Sequence, residues 1–399
     1  MKRFACALGT LALLLGAQTA HAQLTMQMPN GWNFTFSGNV NAFLTYEKES
    51  EGGDTITPFG IVGNTTDETR IRTGLLPAFA VFDAKGKEGD TDLGVHFGFA
   101  PQINCGRGIH DCFGAQIDMR QVYLTVGGGW GQILAGRELG LYARQNILTD
   151  QTLFGTGATG SGGGAVGTGG GTTLGRIGFG YPYAQFKAQI TYSTPGGRAS
   201  SFSIGLFESA ANGPYSKTNI PRLETEYVYS KDNFKGWAGG LIQSTENPAS
   251  GDSITATGLS GGLRWDNKQV SLTGSGYWGS GIGTTLLFLG GACSEVLLNC
   301  GANGSDDVRT SWGYLAQITF TTGKATFAGS YGASILDAAD VEGGLFETEN
   351  SLVSGGVYYQ ATKSLKIVFE LNYAMTKNKE LDLDTNSSFA PVFGFMLFF

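Results

Sequence analysis

The chain ends Phe389-Ala-Pro-Val-Phe-Gly-Phe-Met-Leu-Phe-Phe399, and within this stretch Phe389, Phe393, Phe395, Leu397 and Phe399 fall on one face at period two. That is the pattern of a β-strand with a face suited to lipid. A water-soluble protein does not normally end on such a strand, because its unpaired backbone edge would template aggregation. In a closed barrel the same strand pairs with the first one. The terminal aromatic therefore points to a transmembrane barrel of the bacterial outer membrane.

The other end of the chain agrees. Met1-Lys2-Arg3 is basic, Phe4 to Ala17 is an apolar run, and Ala20-His21-Ala22 is a small-residue cleavage site. Residues 1–22 are thus expected to be a secretory signal, and residues 23–399 a single outer-membrane β-barrel domain. The apolar run is too short to span a bilayer with any margin, and nothing later approaches the roughly 20 consecutive apolar residues a spanning helix needs.

Composition narrows the class. Removing Lys2 and Arg3 from the 26 basic residues leaves 24 against 33 acids, a net charge of −9 that argues against a nucleic-acid partner. Glycine, at 64 residues against 10 prolines, is spread through the chain and suits tight turns and bending strands. Mean hydropathy of −0.04 fits a wall with one apolar and one polar face. Four cysteines remain after cleavage, as Cys105 with Cys112 and Cys293 with Cys300. In an oxidising compartment two local disulfides are the expectation; the rival, metal binding through His110, finds no matching histidine at the second pair and no zinc-like spacing.

Strand-like runs recur from Trp32 onward, with short and long connections alternating. The short ones carry turn chemistry: Lys85–Asp90, Gly127–Gly131, Pro195–Gly197, Lys231–Lys235, Asp266–Lys268, Thr322–Lys324 and Ala361–Ser364. Long polar or glycine-rich segments lie between them, near 47–68, 105–115, 142–175, 209–221, 245–253, 280–308, 337–350 and 378–387. Seven short turns and eight long loops predict an all-β, antiparallel transmembrane barrel of 16 strands, with the short turns periplasmic. Alternation supports this: Leu365, Ile367, Phe369, Leu371 and Tyr373 oppose Lys366, Glu370 and Asn372. The early run Gly74–Phe82 is apolar on both faces instead, which calls for a subunit interface or packing against an inward-folded loop.

Arg120-Gln-Val-Tyr-Leu-Thr-Val126 followed by Gly131-Gln-Ile-Leu-Ala-Gly-Arg137 resembles the R-x-A-Y-V-G-L and G-x-x-x-x-G-R runs on the fourth and fifth strands of the general diffusion porins of Gram-negative outer membranes. It departs from them at Val122 and Thr125. Ile190-Thr-Tyr-Ser-Thr-Pro195 and the terminal phenylalanine extend the likeness. The resemblance implies trimers of 16-stranded barrels whose third loop folds into the lumen. It also implies wall arginines at the constriction: Arg72 on the second strand, Arg120 and Arg137 on the fourth and fifth, and Arg176, with Lys187 as a rival, just after the third loop. Arg70, Arg144 and Asp150 are further expected pore-lining residues.

An arginine stays charged and holds its head at a fixed height, so a cluster sets the potential a solute crosses. Asp150 is the only acid between Tyr142 and Arg176, and ten of the seventeen residues from Gly155 to Gly171 are glycine. A weakly acidic loop opposite arginines predicts mild anion preference, although Asp306, Asp307, Glu342, Glu347 and Glu349 on other loops act against it. The expected function is a passive channel for ions and small hydrophilic solutes, seated in outer-membrane lipid, with no cofactor and no chemical step. The alternative is a channel selective for one small anion or carboxylate.

Other signals are weaker. Gly155-Thr-Gly157-Ala-Thr-Gly160 matches a dinucleotide-loop pattern but has neither the preceding buried strand nor the following helix. His96 is the one strand histidine a hydrolytic pair could use, and no serine motif points at it. Asp118 and Glu138 read as partners of Arg120 and Arg137. Trp32, Tyr46, Trp265 and Tyr359 read as an interfacial aromatic girdle.

Overall fold

The computed structural model describes residues 24–29, 31–50, 67–103, 117–159, 172–287, 308–342, 347–379 and 385–399. Its strands are β1 (Leu24–Gln27), β2 (Asn33–Glu49), β3 (Glu68–Arg72), β4 (Phe79–Glu88), β5 (Thr91–Pro101), β6 (Ile117–Gly128), β7 (Gly131–Leu139), β8 (Phe186–Ser193) and β9 (Ser200–Phe207), followed by β10 (Lys217–Lys231), β11 (Phe234–Glu246), β12 (Ser253–Asp266), β13 (Val270–Ser280), β14 (Thr310–Thr322), β15 (Ala325–Leu336), β16 (Thr348–Gln360), β17 (Leu365–Asn378) and β18 (Asn386–Phe398). Each wall strand pairs antiparallel with its sequence neighbours, and β18 returns to β2. β3 and β4 pair with successive parts of β2 and form one wall strand in two pieces, while β1 folds back on the start of β2, Leu24 opposite Phe36. The wall is therefore a closed antiparallel barrel of 16 strands.

Closure rests on the C-terminal run. Phe393 stands opposite Leu44 and Leu397 opposite Val40. Beyond the ladder, Gly38 N donates to the Phe399 carbonyl at 2.8 Å and Phe399 N returns to the Gly38 carbonyl at 3.0 Å. A side chain at Gly38 would put its Cβ 2.0 Å from the Phe79 carbonyl, so this seam between three strands requires glycine.

The outer face is apolar along every strand tested by alternation. Phe389, Phe393, Phe395 and Leu397 are exposed, as are Phe369, Leu371 and Tyr373 on β17, Ile318 and Phe320 on β14, and the girdle residues Tyr46, Trp265 and Tyr359. The opposite, inward face is polar and buried, as in Thr45 and Glu47 on β2, Gln189 and Thr191 on β8, and Glu370, Asn372 and Thr376 on β17. All seven short connections fall where turn chemistry predicts them.

The early run behaves differently from the rest of the wall. Residues 73–78 leave the ladder between β3 and β4, where Pro77 has no amide to donate. The asparagines Asn39 and Asn41 of β2 take over: Asn41 accepts from Gly74 N at 2.9 Å and donates to the Leu76 carbonyl at 2.9 Å, and Asn39 donates to the Pro77 carbonyl at 3.1 Å. The freed Leu75 and Leu76 pack with Phe79, Ile147, Leu153, Leu174 and Ile177 in the largest apolar cluster. Packing against the β7–β8 connection thus accounts for a run that is apolar on both faces.

Two expectations fall outside this description or fail. Residues 1–22 lie outside the described residues. The two expected disulfides are corrected: no disulfide is found among the described residues, and Cys105, Cys112, Cys293 and Cys300 all lie outside them, so the pairs are carried no further. No helix among the described residues is long and apolar enough to cross a membrane.

Candidate functional site

Among the described residues, those joining β7 to β8 carry an α-helix, α1 (Arg144–Thr149), followed by a 3-10 turn (Gln151–Phe154). Three features shape it locally. Ala143, at φ 57°, turns the chain into α1. Asp150 caps the next turn by accepting from Thr152 N at 3.0 Å. Gly157 and Gly175, at φ 57° and 58°, let two strands of the connection cross within bonding distance, with Ala158 N donating to the Gly175 carbonyl at 2.9 Å.

Side chains on the inward face of the wall hold this connection at successive points. On β10, Glu224 accepts from Leu141 N and Tyr142 N at 2.7 and 2.9 Å, and Glu226 accepts from Arg144 at 2.5 and 3.1 Å and from Gln145 at 2.9 Å. Trp237 on β11 donates to Asn146 at 2.8 Å. Gln317 on β14 accepts from Gln151 N at 2.7 Å and donates to the Thr149 carbonyl at 3.1 Å. On β17, Glu370 accepts from Thr156 N at 2.7 Å, from Gly157 N at 3.2 Å and from the Tyr358 hydroxyl. On β2, Glu47 accepts from the Thr159 hydroxyl at 2.5 Å and from Ser388.

Three of the six expected arginines, Arg72, Arg144 and Arg176, take part in this anchoring. Arg72 is buried and donates to the Thr159 carbonyl at 2.7 Å and the Thr172 carbonyl at 3.4 Å. Arg176 is not a wall residue. It lies in the connection and its guanidinium reaches across to the Leu352 carbonyl at 2.7 Å and to Ser330 at 3.0 and 2.5 Å, with Asp150 at 3.8 Å. Burial pushes the Arg176 guanidinium below its ordinary value and Asp150 pulls the other way. Asp150 also accepts from the Tyr181 hydroxyl at 2.5 Å. Arg70 faces inward beside Glu68 at 2.6 Å. Lys187 is an inward wall residue of β8, opposite Glu138, and donates to the Ser209 carbonyl at 3.4 Å.

Arg137 stands apart from these groups, on the outer face. Arg137 is exposed and shares its face with Ile133, opposite Ala188 on the side of exposed Ile190. Arg120, at an irregularity in the β5–β6 register, has its guanidinium 5.8 Å from the Phe186 ring centroid. Glu138 does not pair with Arg137, since it faces inward and accepts from Gln121 at 2.8 and 3.0 Å. His96 is bonded to Asp83 at 2.9 Å and stacked on Tyr123. Sequence reading missed Glu224, Glu226, Glu47 and Glu370 as anchors, together with the buried pairs Arg222–Glu224 at 3.0 Å and Arg309–Glu342 at 2.7 Å. Their one signal is a charged residue on the polar face of an alternating strand, as in Leu223-Glu-Thr-Glu-Tyr227.

A closed 16-stranded barrel with a lipid-facing exterior and a polar interior defines a multi-pass outer-membrane β-barrel. Residues 9–381 match the sequence profile of Gram-negative porins, and the chain belongs to that family. Among solved structures it is similar to the outer membrane channel DcaP of Acinetobacter baumannii, at 14% identity and TM-score 0.65 over 92% of this chain and 99% of that one. It is also similar to an anion-selective porin from Comamonas acidovorans, at 11% identity and TM-score 0.62 over 92% and 100% of the two chains. A third likeness is to OmpF of Salmonella typhi in complex with daunomycin, at 14% identity and TM-score 0.57 over 93% and 100%. At these identities the structures speak to the fold. No curated protein sequence matches the chain.

Proposed function

We propose that this porin is a passive channel for ions and small hydrophilic solutes, narrowed by the β7–β8 connection folded into its lumen as the third long loop. One observation carries the reading: residues 141–159 of that connection are bonded to inward side chains from β10 through β17 to β2, and residues 172–180 to Arg72, Ser330 and Ser334. A segment held at so many points narrows the bore without swinging freely. Solutes then pass by size exclusion, and inward charges not used for anchoring set the bias. These include Arg70 on β3, Lys187 on β8, and Lys85, Lys235 and Arg264 toward the periplasmic turns, whereas Lys366 lies 3.9 Å from the ring centroid of Phe154 in the connection. Arg72, Arg144, Asp150 and Arg176 serve this constriction by positioning it.

The same reading keeps mild anion preference, now resting on the periplasmic-side cations. It makes residues 1–22 a signal removed on export and the working unit a homotrimer. The trimer is favoured by an aromatic patch on the outer face, where Phe36 lies 4.9 Å from Phe82 and 5.3 Å from Phe399, and Phe82 lies 5.9 Å from Phe99. Arg137, an exposed cation among apolar neighbours, sits on the same face and would find an anion more readily in another subunit than in lipid.

The test is single-channel conductance of the refolded protein in a planar bilayer. Large steps that close in threes and do not saturate are expected, with a reversal potential in a potassium chloride gradient on the chloride side. Saturable steps blocked by one carboxylate would establish the selective channel instead, and absence of conductance would sink both.

A further inference from the structure

Near the periplasmic turns, three inward side chains stand in one row across adjacent strands: Lys235 of β11 is opposite Arg264 of β12, and Arg264 is opposite Thr273 of β13. Their direction follows from their neighbours, since Phe234, Leu263, Trp265 and Leu272 are exposed on the outer face. Directly opposed side chains sit about 4.5–5.5 Å apart at Cβ, a separation at which two like charges repel.

The carboxylates at hand do not resolve this. Asp266 accepts from Arg264 Nη2 at 2.8 Å and leaves the other donors of that guanidinium unused by it. Glu226, the acid that acts most on Lys235, is already bonded to Arg144 and Gln145. The Lys235 ammonium makes no hydrogen bond or ion pair among the described residues, and it lies 6.0 Å from the Trp237 ring centroid. Thr273, opposite Arg264, and Ser271, opposite Asp266, are 5% and 4% exposed, and their hydroxyls have no hydrogen-bond partner among the described residues. The next residue in the row, Gln317, is bonded to the loop at Gln151 and Thr149, which bounds the site on that side.

An ammonium, a guanidinium and two unpartnered hydroxyls therefore converge where no protein acceptor serves them all. We propose that Lys235, Arg264, Thr273 and Ser271 form a binding site for a small oxyanion, the phosphate or carboxylate group of a permeating solute, on the inner wall at the periplasmic mouth. The proposal draws on the channel reading only for how the anion arrives. The cations supply charge and the hydroxyls supply direct hydrogen bonds, so an oxyanion with several acceptor oxygens fits better than chloride.

The experiment is calorimetric titration of the refolded, detergent-solubilised protein with inorganic phosphate, repeated with acetate, at low ionic strength. Saturable binding is expected, weakened tenfold or more in Lys235→Gln and Arg264→Gln, several-fold in Thr273→Val, and little in Lys235→Arg. Lys268→Gln, in the exposed turn, serves as the surface-charge control. Each variant is first checked for the heat-dependent gel shift of a folded barrel. No binding by the parent protein, or equal binding by the parent and the three weakening variants, overturns the site. Binding in detergent needs no conduction, so a silent bilayer experiment and a silent titration are separate failures.

Discussion

Glu370 shows how a single side chain holds the β7–β8 connection. It is fully buried and takes hydrogen bonds from two backbone amides of the loop and from two wall side chains, Tyr358 and Asn372. Replacing it with alanine strands those donors, at about 1–3 kcal/mol for each group left without a partner. Glu370→Ala is therefore expected to lower the thermal midpoint in detergent and to raise current noise as the loop loosens, whereas Glu370→Gln, which keeps an acceptor oxygen, should do less. Arg176→Met is expected to act similarly by releasing the Leu352 and Ser330 carbonyls; an unchanged midpoint and quiet current in both variants would argue that the loop is held elsewhere. Such anchors were poorly legible in the sequence, because Thr156 and Glu370 are 214 residues apart and leave no periodic trace. Arg137 was misplaced for another reason. The motif put it on the pore wall, although alternation from Ile133 already grouped it with the outer face. The glycine before it is explained by geometry: Gly136 has φ 138°, and a Cβ there would lie 2.3 Å from the Val122 carbonyl.

At the scale of elements, strands and short turns were legible because each depends on local chemistry: period-two alternation, and glycine, asparagine or aspartate at turns. The second wall strand was not, since its break at residues 73–78 is stabilised by Asn39 and Asn41 from a neighbouring strand and by leucines packed on a distant loop. The seam between β2 and β18 makes the sharpest prediction here. Gly38→Val should prevent closure, because Phe79 blocks any side chain, and the product should lack the heat-dependent gel shift of a folded barrel. Deleting Phe399 removes two backbone hydrogen bonds and the ring packed on Phe36, and is expected to lower refolding yield without changing the conductance of the molecules that do fold.

For the whole molecule, the outer surface carries the prediction about assembly. Phe36→Ser with Phe82→Ser breaks the aromatic patch while leaving inward residues untouched, so the barrel is expected to fold but to migrate as monomers after chemical cross-linking. Persistent trimers in that double variant would move the interface to another face. Arg137→Glu is expected to weaken trimers less than the double aromatic change, because a rim charge contributes less than a buried apolar centre. The seam that joins Gly38 to Phe399 also imposes an order of events. The first wall strand has no permanent partner on one side until β18 has been made, so the wall cannot be completed while the strands between them are still being synthesised. Until β18 is available, the open edge of β2 must be kept apart from lipid and from other copies of the same strand, since it would otherwise find a partner there.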